Sequence, residues 1–124
     1  MRTESITYFT EKEEEFATLL IEIGTKKNVA KALVFLANIP EATSRAIERG
    51  TDLRQPEISL AMHYLMKQRW VSIRESKADS KGRPVKIYVL AKPIAEIMES
   101  IEKEKKKEAT NQLAMIKKLR DYIT

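Results

Sequence analysis

The stretch from Thr43 to Leu90 constrains this chain most, because four short patterns follow one another there with little between them. Thr43–Gly50 is a short helical pattern with a hydroxyl N-cap at Thr43 and an inward anchor at Ile47. Thr51–Arg54 is a tight connector: Gly50 permits the turn, and Leu53 is expected to be buried and to pin two helices together. Gln55–Gln68 is a second helical pattern, with Pro56 in the first turn, where its missing N–H costs nothing. Two alternating runs, Trp70–Glu75 and Val85–Leu90, then flank the basic turn Lys77–Pro84, and their period of two marks strands.

Stepped at the helical period, the second pattern divides cleanly. Ile58, Ala61, Met62 and Leu65 share one side and face a core. Pro56, Ser59, Leu60, His63, Tyr64 and Lys67 share the other. A solvated helix face normally carries Glu and Lys paired four apart. This one is short-polar, apolar and aromatic, which suits contact with bases and sugars. Ser59 and His63 have the chemistry to hydrogen-bond base edges, Leu60 to meet a thymine methyl, and Gln55 to read adenine or hold a phosphate. Lys77, Lys81, Arg83 and Lys86 would neutralise phosphates, and Arg83 is also suited to a minor groove. Thr43, Ser44, Arg45 and Arg54 extend that backbone track, with Arg49, Lys26 and Lys27 as lesser candidates. The blander readings are that the face packs on the N-terminal helix or on a partner protein, and that the turn is merely a solvated loop. Trp70 reads as core, and Tyr88 as either packing or a phosphate donor. Helix, turn, helix and a two-stranded ribbon with a cationic tip is the plan of a winged helix-turn-helix.

Charge follows that plan. Residues 1–24 carry two basic against six acidic side chains, a net −4; residues 25–91 carry thirteen against six, a net +7; residues 92–124 carry eight against six, a net +2. The basic excess therefore lies where a polyanion would be read. With no cysteine, disulfides and thiolate metal sites are excluded, and one histidine cannot build an imidazole zinc site. No His–carboxylate constellation and no phosphate-binding glycine loop is legible, so neither an enzyme nor a cofactor is expected. No apolar run approaches the roughly 18 residues of a membrane span, and the start lacks the plan of a secretory leader. The cytoplasm is the expected compartment.

The flanks are helical. An arm over 1–9 precedes Thr10-Glu-Lys-Glu13, which has the spacing of a capping box. The helix it opens places Phe16, Leu19, Leu20 and Ile23 on one apolar face and stops at Gly24. The acidic run Glu13–Glu15 suits the positive end of a helix dipole better than it suits a metal. Thr25 is positioned to cap the next helix, in which Val29, Ala32, Leu33 and Leu36 form a stripe widened by Val34 and Phe35. It should be the most enclosed helix, ending before Pro40. Beyond Ala91 one helical face runs to the end, through Ile94, Ile97, Met98, Ile101, Met115, Ile116, Leu119, Tyr122 and Ile123. Pro93 fits its first turn, and Lys105, Glu108 and Gln112 make its middle polar. The run Lys103–Lys107, interleaved with glutamate, reads as a solvated surface rather than a nucleic-acid tract. A helix of roughly 30 residues spans about 45 Å, more than a small core needs, so its far half calls for a second copy of the chain.

At Thr43–Ile47, Leu53, Ile58-Ser59, Met62, Leu65, Trp70-Val71 and Lys81–Tyr88 the chain resembles winged-helix transcriptional regulators of the ArsR/MarR/TrmB-like group of archaea and bacteria. Gly82–Tyr88 is similar to the wing of small archaeal regulators. The resemblance spans roughly residues 26–91 and implies that Gln55–Tyr64 lie in a major groove while Lys81–Lys86 touch adjacent backbone or minor groove. The absence of cysteine departs from metal-sensing members. The expected architecture is thus mainly α with a small β part (α+β): an N-terminal arm and helix over 1–24, a winged helix-turn-helix over 25–91 and a dimerisation helix over 92–124. The expected partners are double-stranded DNA and a second copy of the chain. A winged-helix module that docks only on proteins of the transcription machinery is the alternative.

Overall fold

The computed structural model describes residues 9–76 and 84–124. It contains α1 (Glu11–Glu22), α2 (Lys27–Asn38), β1 (Glu41–Ala42), α3 (Ser44–Thr51), α4 (Gln55–Lys67), β2 (Val71–Ser76), β3 (Val85–Leu90) and α5 (Ile94–Ile123). The chain is mainly helical with a small antiparallel sheet, and it divides into two compact units, Met1–Lys92 and Pro93–Thr124. The arm over 1–8 and the tip of the hairpin, residues 77–83, lie outside the described residues.

Helix α1 begins on the expected box. The Thr10 hydroxyl accepts from the Glu13 N–H at 3.2 Å, and the Glu13 carboxylate accepts from the Thr10 N–H at 2.7 Å. It ends in a Schellman turn, in which Gly24 at φ 111° donates to Ile21 O and Thr25 donates to Leu20 O. Its buried edge differs from the expected stripe. Ala17 and Leu20 are enclosed, whereas Leu19 is 55% exposed and Ile23 also faces outward. Spacing locates an apolar arc; which edge of it faces inward depends on what packs there. Thr25 likewise does not cap α2. Its N–H closes the preceding turn, and Lys26 takes the N-cap position without a side-chain bond.

Helix α2 is the centre of the first unit. Val29, Ala30, Ala32, Leu33, Val34, Phe35 and Leu36 are all buried, and α1, α3, α4 and β3 pack around it. An enclosed helix must be apolar over most of its circumference, which is why its off-stripe Val34 and Phe35 are there.

The connector between α3 and α4 is built differently from the expectation. Gly50 lies inside α3, and its missing side chain makes room for the Phe35 ring: a Cβ there would stand 2.7 Å from Phe35 Cδ1. The left-handed residue that turns the chain is Asp52, at φ 63°, a residue type that tolerates this region. Thr51 secures the turn: its buried hydroxyl donates to Ile47 O at 2.6 Å and accepts from Leu53 N–H at 3.2 Å. Lys31 Nζ donates to Thr51 O at 3.4 Å, and Leu53 is buried as expected.

Among the described residues, three strands lie in the order β1-β3-β2, all antiparallel. Strand β1 was not anticipated; β2 begins one residue later than expected, and β3 spans the expected residues. Directly paired residues project to the same side. Ala42, Tyr88 and Ile73 therefore share a side with buried Val71 and its partner Leu90. Val89 and Ile87 lie on the other side, with Glu41, Ser72 and Arg74, and there an Arg74–Glu41 ion pair bridges β1 and β2 across β3.

Helix α5 is 30 residues long, with Pro93 at the N-cap position rather than inside the first turn. No described helix is long and apolar enough to cross a membrane.

Candidate nucleic-acid interface

Helix α4 starts on a bond from the backbone to a side-chain carboxylate. The Arg54 N–H donates to Glu57 Oε1 at 2.9 Å, satisfying a donor that a helix start leaves free. Asn28 Nδ2 donates to Glu57 O at 3.1 Å and ties this turn to α2. The inner side of α4 is then locked, with Ile58, Ala61, Met62 and Leu65 all buried. At the other end Arg69, at φ 66°, donates to Met66 O, and Trp70 donates to Leu65 O, a second Schellman turn. Trp70 is buried and meets Tyr64 edge-on, with ring centroids 6.4 Å apart and planes at 78°.

With that side fixed, Gln55, Pro56, Ser59, Leu60, His63, Tyr64 and Lys67 are all exposed. Leu60 is 67% exposed and Tyr64 43%. Neither packing on α1 nor burial in the core accounts for the face. Tyr64 is half committed, packed in part against Trp70 and otherwise open to solvent. Gln55 is oriented by α3: its Nε2 donates to Glu48 Oε1 at 2.9 Å. That bond leaves the amide oxygen and one N–H for another partner.

The backbone candidates are distributed unevenly. Arg45, Arg49 and Arg54 are exposed, as are Lys26 and Lys27. Thr43 and Ser44 are half-buried, and the Thr43 hydroxyl accepts the Ala46 N–H at 3.1 Å, which leaves its own proton to donate. Gln68 and Arg69, just beyond the end of α4, are exposed as well, although the sequence pattern did not single them out. Arg74 is engaged by Glu41. Of the hairpin cations, Lys86 is exposed on β3, and Lys77, Lys81 and Arg83 lie outside the described residues. Tyr88 sits in mid-strand, half-buried beside Ala42 and Ile73.

No group of three or more His, Asp or Glu among the described residues is placed to hold a metal ion. No protein-family model matches this chain, and no curated protein matches it either.

Proposed function

We propose that this chain is a double-stranded DNA-binding transcriptional regulator of the winged helix-turn-helix class, acting as a homodimer. Helix α4 enters the major groove and the β2–β3 hairpin lies on the neighbouring backbone or minor groove. One observation carries the reading. A helix with four buried residues on one side presents an exposed side whose middle, Ser59, Leu60, His63 and Tyr64, is uncharged; its charges stand at the two ends, Glu57, whose carboxylate accepts the Arg54 N–H, and Lys67. A face that merely met water would carry alternating charges. A face that meets base edges needs short hydrogen-bonding groups and apolar contact to methyls. The surrounding exposed cations, Arg45, Arg49, Arg54 and Arg69, supply sequence-independent attraction to phosphate.

The strongly exposed Leu60, next to Tyr64 and Pro56, also favours a second reading, docking on a protein of the transcription machinery. Salt separates the two. Binding to duplex DNA should weaken with a slope of about −0.9 in log affinity per log salt for each phosphate contact.

The test is a selection from random duplexes, followed by titration of the chosen site. Ser59→Ala and His63→Ala should each erode discrimination between the selected and scrambled duplexes by about 1–3 kcal/mol. Arg54→Ala should instead weaken both duplexes alike and flatten the salt slope. Selection that enriches no sequence, with weak binding indifferent to salt, would overturn the DNA reading in favour of protein docking.

A further inference from the structure

Helix α5 carries a second level of order beneath its amphipathic face. Along it one row of residues advances alternately by four and by three. Ile94, Met98 and Ile101 open the row, Lys105, Glu108 and Gln112 occupy its middle, and Met115, Leu119 and Tyr122 close it. A mean step of 3.5 is the seam of a two-stranded coiled coil. The closing third is open: Leu119 is 63% and Tyr122 89% exposed, with Met115 and Ile116 beside them. Ile97, Ile116 and Ile123, also expected from the sequence to face a partner, lie beside this row rather than in it.

The two charges in the row decide how a second copy can lie against it. In a parallel pair, seam residues meet their own copies. Lys105 would face Lys105 and Glu108 would face Glu108, two like-charge contacts at positions taken out of water. In an antiparallel pair, residues meet in a fixed register, and the row is symmetric about the point between residues 106 and 107. In that register Lys105 faces Glu108, Ile101 faces Gln112, Met98 faces Met115 and Ile94 faces Leu119. Sliding by one heptad sets Lys105 against Met115 or Ile101 and leaves its charge unpaired. Only the symmetric register gives both charges an opposite partner. Lys105 and Glu108 of one chain already pair at 3.3 Å, so the junction becomes a closed ring of four alternating charges.

We infer that α5 pairs with α5 of a second copy of this chain in antiparallel orientation, centred between residues 106 and 107, with Lys105 of each chain set against Glu108 of the other. This deepens the proposed homodimer and rests on its self-association, not on its DNA binding. The occupant is a second copy because the row is complementary to its own reverse, which an unrelated helix would match only by coincidence. The points at which the two chains enter the helix pair, at Ile94, would lie about 38 Å apart at 1.5 Å per residue. That is the scale of one DNA turn, about 35 Å, across which two-fold readers space their half-sites.

The absence of native cysteine makes the test direct. A nitroxide on Lys118→Cys, at the margin of the seam rather than in it, is measured by pulsed electron spin resonance in the full-length chain. Antiparallel pairing in this register places the two copies of position 118 about 35 Å apart along the axis. A parallel pair places them about 10 Å apart, the spacing of packed helices, and a slip of one heptad places them at about 24 Å or about 45 Å, according to its direction; any of these results overturns the inference. Lys105→Glu should weaken dimerisation by about tenfold or more in sedimentation equilibrium, and adding Glu108→Lys should restore it. An unchanged dissociation constant for Lys105→Glu, at unchanged helix content by circular dichroism, also overturns it. A wild-type chain that stays monomeric removes the homodimer itself, whereas a short spin–spin distance removes only the orientation and leaves the proposed function standing.

Discussion

Helices α4 and α5 both hold large apolar side chains in the open, and they differ in what stands behind them. Leu60 and Tyr64 project from a helix of 13 residues whose other side is nailed down by Ile58, Ala61, Met62 and Leu65. Leu119, Tyr122 and Ile123 project from the last turns of a helix of 30 residues in which Ile97 is the one buried side chain. The outer side of α4 is mixed with Ser59, His63 and Lys67, so water can wet it and a partner can be exchanged. The open row of α5 is a nearly continuous apolar edge over its last turns, and such an edge tends to be covered. On the roles proposed above, the surface that would read DNA is polar enough to wait empty, and the surface that would assemble is not.

The largest effect should come from the inner side of α4. Ile58→Ala removes a fully enclosed side chain and should cost the first unit about 2–5 kcal/mol, read by urea unfolding of the full chain. Leu60→Ala, two positions on, should leave stability within about 0.5 kcal/mol. Equal losses at the two positions would break the distinction between inner and outer sides. Leu119→Ala should act on assembly instead. Each chain would lose about 1.5–3 kcal/mol of burial in the pair, which should appear as a raised dissociation constant in sedimentation equilibrium with the tryptophan-monitored unfolding of Trp70 little moved. If the variant unfolds the first unit and leaves the association intact, the roles given to the two helices are reversed.

How much of this was legible beforehand depended on how local each determinant is. The Thr10–Glu13 box, the enclosure of α2, the limits of β3 and the two sides of α4 follow from residues within a few positions of one another, and all are found. Gly50 was misassigned because its use comes from Phe35, a neighbour in space rather than in sequence. Strand β1 is two residues long, too short to show a period, and it exists because β3 offers it partners at Val89 and Tyr88. The same limit applies to the candidate site. Periodicity exposed the outward row of α4, but the Gln55–Glu48 bond and the securing of the turn by Thr51 join residues whose types alone suggest no pairing. In α5 the periodicity showed the apolar face and the helical extent, found over Ile94–Ile123, because both depend on residues three and four apart along one element.

The smallest expected effect concerns the joint that ends α4. Arg69 holds φ 66° there, a region in which a side chain with a Cβ is strained by about 1–2 kcal/mol. Its N–H still closes on Met66 O at 2.9 Å, and the next N–H, of Trp70, on Leu65 O at 3.0 Å, so the turn is made despite the residue type. Arg69→Gly would relieve that strain, and the extra freedom of glycine in the unfolded chain would return part of the gain, about 0.4–1 kcal/mol. The net expectation is a stabilisation of about 0.5–1 kcal/mol in urea unfolding. If the arginine is retained for its charge on the α4 surface, the same substitution should lower affinity for every duplex alike and reduce the salt slope by about 0.9 for each phosphate it had neutralised. A variant that is more stable and binds DNA with an unchanged salt slope would show that Arg69 stands outside the phosphate track, and would confine the interface to the outward row of α4 and the cations flanking it.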